Sequence, residues 1–357
     1  LDKNKLLMIT PFSKSQRGNS LTVARLRHGL QGRGFLVEVL SLEESAWQKS
    51  LTAMIREKQY ALIHGFHGYY FGQVLAKVPE IKQFPLILTT TGTDLNYYLN
   101  LTGTEVNLVY LAFQAADKIV VFNEEFNEML RSIDSELAAK LITIPQGVCL
   151  PGDKSGNLSR NKSSQRWDLR LTEENIVFVM PSGLRKIKNI ELAINALERV
   201  HADFPQIRLV LLGAVIEADY YSSLRKRINE LEWVSYLGEV PHEEVKSILS
   251  LGDIVLNTSY SEGQPQGALE AMSLGLPAIL SAVPGNLNLI EAGVEGFYIQ
   301  TEKELIEAAK TLINNPDLRK QMGAAARRLV EARFNVNKEL AAYSELYDQL
   351  LVYKSTQ

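Results

Sequence analysis

The sequence predicts an α/β fold of two Rossmann-like domains facing across a cleft, and three observations carry that prediction. Short apolar runs that read as buried strands alternate with apolar-periodic segments that read as helices, from Lys5 to Ile144. A polar stretch, GDKSGNLSRNKSSQR at 152–166, then breaks the pattern. The same alternation restarts at Ile176, and 357 residues suit two domains of ordinary size.

The elements follow in order. Lys5 to Thr10 is a first buried strand, closed by Pro11. The loop FSKSQRGNS contains Gly18, and Asn19 or Ser20 is the expected N-cap of a helix bearing Val23, Leu26 and Leu30 on one face. Gly32 and Gly34 end it, and Leu36 to Leu40 is the second strand. This opening is the βαβ unit of a parallel sheet, without the G-x-G-x-x-G of a dinucleotide site. Strands are expected at Tyr60–Ile63, Pro85–Leu88, Lys118–Val121 and Leu141–Ile144, and helices near Phe71–Lys77 and Glu124–Ser132. In the second half, strands are expected at Ile176–Met180, Ile207–Leu212, Val234–Leu237, Asp253–Leu256 and Ala278–Leu280. Helices are expected at Ile190–His201, Tyr220–Leu231, Glu243–Leu251, Leu305–Ile313 and Pro316–Phe334. Lys338 to Val352 closes the chain, with Leu340, Tyr343, Leu346, Tyr347 and Leu350 at helical spacing. The expected domains are residues 1–150 and 165–334, followed by the closing helix in 335–357.

Composition narrows the function. At 46% hydrophobic and 22% charged, this is an average globular chain, and a net charge of -3 argues against binding nucleic acid through a broad basic face. The single cysteine, Cys149, excludes an internal disulfide and fits a reducing compartment. No apolar run approaches the ~20 residues of a membrane span. The N-terminal LDKNKLLMITPF lacks a cleavage site, so the expected location is cytoplasmic.

The richest stretch is Thr258 to Asn286. Glu262 opens a loop holding Gly263, Gln264, Pro265, Gln266 and Gly267, and Glu270 sits on the short helix that follows, which Gly275 caps and Pro277 stops. Two carboxylates beside the N–H groups of a helix N-terminus suit a nucleotide-sugar: the amides bind anions or hydroxyls and the carboxylates accept from sugar hydroxyls. The loop PSGLRKIKN at 181–189 places Arg185 and Lys188 after a strand, with Lys186 as a rival. Fixed cations there neutralise the charge that develops on a departing diphosphate.

Glu262 and Glu270 match the E-x7-E signature of the retaining GT-B glycosyltransferases of family 4, and EGQPQGALEAMSLGLPAILSAVPGN resembles that family's donor-binding segment throughout. The resemblance covers nearly the whole chain. It implies a GT-B fold whose last helix crosses back onto the first domain, and a retaining transfer of a sugar from a nucleoside diphosphate, without a metal. Glu270 would take the ribose hydroxyls, and Glu262 with the 263–267 amides the sugar. Gly18 would let backbone approach the donor phosphate or the acceptor, and Glu239 and Val240 in LGEVPHEEV would hold the nucleobase. PQGV at 145–148 is similar to a hinge-proximal turn written P-N-G-V-D, from which Gln146 and Cys149 depart. No cofactor is expected, the donor being a substrate, most readily a UDP-sugar.

The largest departure is TTTGTDL at 89–95, where relatives carry histidine before G-T-D and this chain has Thr91. Threonine does not titrate near neutral pH. Either the transferase is active without that histidine or activity is lost, and the intact diphosphate and sugar positions favour the first. Asp94 remains as a carboxylate toward the expected cleft, or as an N-cap. The acceptor-side candidates are Asn19, His64, Thr91 and Asp94. His64 and His67 form an H-x-x-H pair that lacks further metal ligands, so the pair lines the acceptor side or sits in a polar loop. Arg25, Arg27, His28 and Arg33 read as a solvated face rather than a lipid contact. R-G-N, T-G-T-D and G-L-R-x-x-K together are similar to a subgroup that includes selenosugar synthases, whose anionic acceptor needs little base; small-molecule and lipid-linked acceptors stay open. The competing functions are a non-catalytic nucleotide-sugar binding protein and a nucleotide-sugar epimerase.

Overall fold

A computed structural model describes residues 4–13, 18–57, 60–150, 169 and 171–355. The polar stretch at 152–166 lies outside the described residues. The chain divides into two compact units, Leu1–Gln146 with Asn337–Gln357, and Gly147–Val336. Each is an α/β unit on a six-stranded, all-parallel sheet.

In the first unit, β1 (Lys5–Thr10), β2 (Leu36–Ser41), β3 (Leu62–Phe66), β4 (Leu86–Thr89), β5 (Lys118–Val121) and β6 (Leu141–Thr143) lie in the order β2-β1-β3-β4-β5-β6. Every residue of β3 and β4 is buried, the mark of strands covered by helices on both faces. The helices are α1 (Gly18–Gln31), α2 (Trp47–Arg56), α3 (Gly68–Lys77), α4 (Thr93–Asn96), α5 (Thr104–Ala115) and α6 (Glu124–Ile133). Strand order reverses between β1 and β3, and ligands of such sheets sit at the carboxyl ends of the strands flanking that reversal.

The second unit restarts with β7 (Ile176–Pro181), β8 (Ile207–Leu212), β9 (Val234–Tyr236), β10 (Ile254–Asn257), β11 (Ala278–Ser281) and β12 (Gly296–Ile299), ordered β12-β11-β10-β7-β8-β9. Its helices are α7 (Ile190–Asp203), α8 (Ala218–Glu230), α9 (His242–Leu249), α10 (Gln266–Ser273), α11 (Glu302–Asn314) and α12 (Pro316–Arg333). Successive β7 side chains alternate between two cores: Phe178 and Met180 join one, Val177 and Val179 the other. The reversal here falls between β7 and β10.

The closing helix, α13 (Val336–Ser355), packs into the first unit. Tyr343 and Tyr347 are fully buried, and Leu340 fills the space left by Gly29 of α1, where an added Cβ would stand 2.2 Å from it. Arg25 bonds Glu339 through Nε and Nη2 at 2.8 and 2.9 Å. The solvated face expected around Arg25 is therefore corrected: this residue ties α1 to α13.

Other local expectations also change. Helix α1 starts at Gly18, so Asn19 and Ser20 lie inside it, and the Ser20 hydroxyl donates to the Phe12 carbonyl instead of capping. β3 starts later than expected and runs through His64 and Gly65, because Gly65 pairs with Ile9 and its missing side chain makes room for Phe71. Helices α2 and α5 and strand β12 were not expected. Gly296 opens β12 where a Cβ would meet the Ala278 carbonyl at 1.9 Å, so a residue that reads as a breaker permits the strand contact.

Candidate functional site

The second unit's residues converge at the carboxyl ends of β7 and β10, on either side of the reversal. After β7 the chain passes through Arg185 into a 3₁₀ turn at Lys186–Lys188, and Asn189 adopts a left-handed conformation before α7. After β10 it runs from Thr258 to Pro265 and enters α10. The two loops are sewn together: the Thr258 hydroxyl bonds the Asn189 carbonyl at 2.9 Å, and the Tyr260 N–H donates to the Ile187 carbonyl at 2.8 Å.

At the seam, Lys188 Nζ lies 2.6 Å from Glu262 Oε1, their side chains 14% and 7% exposed. The same oxygen accepts from Asn257 Nδ2 at 2.8 Å and from Ser259 Oγ at 2.6 Å. Asn257 is held in turn by Asn286 Nδ2 at 3.2 Å. Burial pushes the Glu262 carboxyl up, but Lys188 and the hydrogen bonds outweigh it and hold the group below its ordinary value. Burial lowers the Lys188 ammonium, Glu262 opposes this, and the neighbouring Arg185 cation adds to the lowering. The two form a buried pair carried on a polar frame. Arg185 is half-buried with a buried Nε that meets no protein acceptor.

Helix α10 contributes backbone. Gly267 sits in its first turn because a Cβ there would come within 2.8 Å of Pro181 at the end of β7. The run of amides is shorter than expected: Pro265 has no N–H, and the Gln266 N–H already bonds the Gln264 carbonyl at 2.9 Å. Gln266 Nε2 donates to the Gly147 carbonyl at 3.2 Å, and Glu270 is half-buried on the same helix. Gly285, with φ of 86°, backs the loop where a Cβ would strike the Glu262 carbonyl. In the loop after β9, Glu239 is exposed and Val240 half-buried.

In the first unit, the expected acceptor-side residues separate. His64 is a core residue: it is fully buried, with Nδ1 2.7 Å from the Tyr347 hydroxyl and Nε2 2.7 Å from Thr89 Oγ1. Burial lowers its pKa to about 3, so it is a neutral bridge between β3, β4 and α13 and lines no open site. Asp94 is likewise fully buried, accepting from the Gly68 and Thr91 N–H groups at 2.8 and 2.9 Å. It binds the loops after β3 and β4 together and does not project as an open carboxylate. Thr91 and Asn19 are half-buried, and Gly18 is exposed with open space around its Cα. His67 follows β3 directly; it is 4% exposed, with φ of 70°. Burial lowers its pKa, with Asp94 and its own carbonyl opposing.

Comparison with known proteins bears on this geometry. Residues 161–329 match the family model Glycosyl transferases group 1. That segment contains β7 to β12 and both sewn loops. Along nearly the whole chain, this protein is 22% identical to the glycosyltransferase 1 domain-containing protein 1 of Xenopus tropicalis, covering 95% of this chain and 96% of the relative. It is also 22% identical to the N-acetyl-alpha-D-glucosaminyl L-malate synthase of Bacillus anthracis, over 82% of this chain and 74% of that one. In fold, it is similar to Anabaena HepE, solved with UDP and glucose: TM-score 0.80, 21% identity, 97% and 99% coverage. A sucrose-phosphate synthase from Thermosynechococcus elongatus aligns with TM-score 0.82 at 20% identity, covering 98% of this chain and all of that one. The family match, the relatives and the α/β two-domain GT-B fold support a glycosyltransferase.

The glycosyltransferase match falls on the half in which Arg185, Lys188, Glu262, Gly267 and Glu270 were picked out from sequence, and the structure brings these onto two adjacent loops and one helix. Sequence reading missed Asn257, Ser259 and Asn286. They are ordinary polar residues whose importance lies in the hydrogen bonds that fix Glu262, and their only signal was polarity beside a buried strand. Among the described residues, no group of three His, Cys, Asp or Glu side chains is placed to hold a metal ion, and no helix is long and apolar enough to cross a membrane.

Proposed function

We propose that the protein is a retaining, metal-independent glycosyltransferase that takes its sugar from a nucleoside diphosphate, most readily UDP. The observation that carries this reading is the buried Lys188–Glu262 pair with Arg185 beside it, at the strand reversal of the unit that bears the family match. Arg185 and Lys188 face the diphosphate and hold the negative charge that grows as the sugar leaves. The first-turn amides of α10 add a positive end for the same anion. Glu262, fixed by Asn257 and Ser259, accepts from the sugar hydroxyls, and Glu270 from the ribose. The nucleobase meets the backbone around Glu239 and Val240. Structures of Anabaena HepE contain UDP or UDP-glucose, which supports a uridine donor.

Thr91 motivates a second reading, a nucleotide-sugar binder without transfer, and its cytoplasmic placement would be the same. One experiment serves both. UDP-, GDP- and ADP-sugars are screened by thermal shift on the native chain and on Arg185→Ala and Glu270→Ala. A rise in melting temperature with one nucleotide series, lost in both variants, supports the donor site by mass action on the folded state. No rise with any donor at millimolar concentration sinks it. Release of free nucleoside diphosphate from the stabilising donor separates transferase from binder.

A further inference from the structure

The loop that carries Arg185 and Lys188 is bracketed along its length by the chain that follows β8, from Gly213 to Tyr220. The Ser182 N–H bonds the Leu212 carbonyl and the Leu184 N–H the Ala214 carbonyl, each at 2.8 Å. The Leu184 carbonyl accepts in return from the Ile216 and Glu217 N–H groups at 3.1 and 3.0 Å. Leu184 is fully buried and forms a parallel bridge with Val215. The approach requires glycine: at Gly213, where φ is 146°, a Cβ would stand 2.3 Å from the Ser182 carbonyl. At the far end, the Tyr220 hydroxyl accepts from the Ile190 N–H at 2.9 Å and donates to the Glu191 carboxylate.

Arg185 stands between these anchors. Its backbone is extended, at φ -152° and ψ 152°, and the chain then turns into the 3₁₀ segment. On one side, Leu184 is fastened through its backbone. On the other, the Lys186 N–H donates to a side chain, Glu217 Oε2, at 2.9 Å. The opening N–H groups of a helical turn have no carbonyl within it to bond, so an outside acceptor fixes where the turn begins. Glu217 reaches back from a rigid base: its N–H is held by Leu184, and its carbonyl accepts from the Tyr221 N–H at 3.0 Å. The dihedrals between the two fastened neighbours are those of Arg185 itself, so the Glu217 bond sets the direction in which the guanidinium leaves the chain. That guanidinium has a buried Nε without a protein acceptor, and its charge reaches the Lys188 ammonium. The Lys186 side chain is exposed, and what this residue gives the loop is its backbone N–H.

Resting on the donor reading above, we propose that Glu217 is the positioning residue for Arg185: by holding the Lys186 N–H, it aims the guanidinium at the diphosphate of the donor. A direct role is opposed by charge, because a carboxylate repels a diphosphate. Coulomb's law alone would make removal of Glu217 tighten the binding of that anion. Loss of positioning weakens it, because a cation already ordered in the free protein loses little freedom when the anion arrives. The two effects have opposite signs and are separable by experiment.

The test measures binding of UDP and of inorganic pyrophosphate by isothermal titration calorimetry. The native chain is compared with Glu217→Ala, Glu217→Gln, Arg185→Ala and the Glu217→Ala, Arg185→Ala double variant. In parallel, the full chain labelled with ¹⁵N-arginine reports the order of Arg185 Nε, a signal assigned by its loss in Arg185→Ala. Glu217→Ala is expected to weaken UDP binding by about fivefold, as for loss of one hydrogen bond. Glu217→Gln keeps an acceptor oxygen for the Lys186 N–H and is expected to bind UDP at least as tightly as the native chain. With Arg185→Ala already in place, Glu217→Ala should change nothing further, since no guanidinium is left to aim. The Arg185 Nε signal should narrow toward that of a free side chain in Glu217→Ala and stay native in Glu217→Gln. Unchanged or tighter UDP binding in Glu217→Ala overturns the proposal. So does an equal loss in the Arg185→Ala background, which assigns the carboxylate a merely structural role. A native chain that binds neither UDP nor pyrophosphate fails the donor reading instead, and the Nε signal still decides whether Glu217 orders Arg185.

Discussion

Replacing Glu262 by alanine strips the buried Lys188 ammonium of its counter-ion and removes the acceptor of two further hydrogen bonds. With side chains 14% and 7% exposed, water offers little compensation. Breaking one partner out of a buried pair costs about 3–5 kcal/mol, much of it the penalty of an unpaired buried charge. Glu262→Gln keeps an oxygen for Asn257, Ser259 and Lys188 but loses the charge, and about 1–3 kcal/mol is expected. Lys188→Met with Glu262→Leu removes both charges together, so the double variant should fall short of the sum of the singles by about 2 kcal/mol. Urea unfolding of the second unit, followed through its buried Trp233 in a background with Trp47 and Trp167 replaced by phenylalanine, measures each value. A Glu262→Ala cost below about 1 kcal/mol, or single costs that simply add, would refute the buried pair, since exposed pairs behave that way. Because the carboxyl is held below its ordinary value, its contribution is present above the unfolded-state pKa and is lost as pH falls through the lower folded value.

Three other outcomes are expected. His64 is neutral when folded, with a pKa near 3 against 6.5 unfolded, so the unfolded chain binds the extra proton; stability should fall by up to roughly 1.4 kcal/mol per pH unit as pH drops from 6.5 toward 3, and His64→Gln should flatten that part of the melting-temperature profile. Glu339→Ala removes the carboxylate that Arg25 bonds between α1 and α13, costs about 3 kcal/mol, and should be seen as faster amide exchange along α13 with exchange in the second unit unchanged. Gly267→Ala drives a methyl into Pro181, costs about 1–3 kcal/mol and weakens UDP-sugar binding by shifting the start of α10, whereas Gly18→Ala meets open space and leaves the melting temperature unchanged.

Much of this protein was legible from sequence because its signals are local. Apolar runs buried on both faces read as parallel strands without knowledge of their neighbours, which is why the α/β class and most strands of both sheets could be written down in order. Arg185, Lys188, Glu262 and Glu270 stood out because two cations and two carboxylates beside the amides of a helix N-terminus suit a nucleotide-sugar, a pattern that also resembles a known family's donor segment. Sequence by itself did not decide which polar residues meet. The pairing of Lys188 with Glu262, 74 positions apart, exists only because β7 and β10 are neighbours in the sheet. His64 and His67 look like one motif, yet strand alternation sends them to different fates: His64 bridges to Tyr347, 283 positions away, while His67 is left at the strand end between the rings of Tyr70 and Tyr98. Asp94 looked like an open carboxylate and is consumed by two backbone amides. Composition and periodicity report the surroundings of a residue averaged along the chain, which suffices to build a sheet. Whether a given hydroxyl, carboxyl or imidazole finds a partner depends on strand order and on the packing of distant helices, and those are properties of the tertiary structure alone.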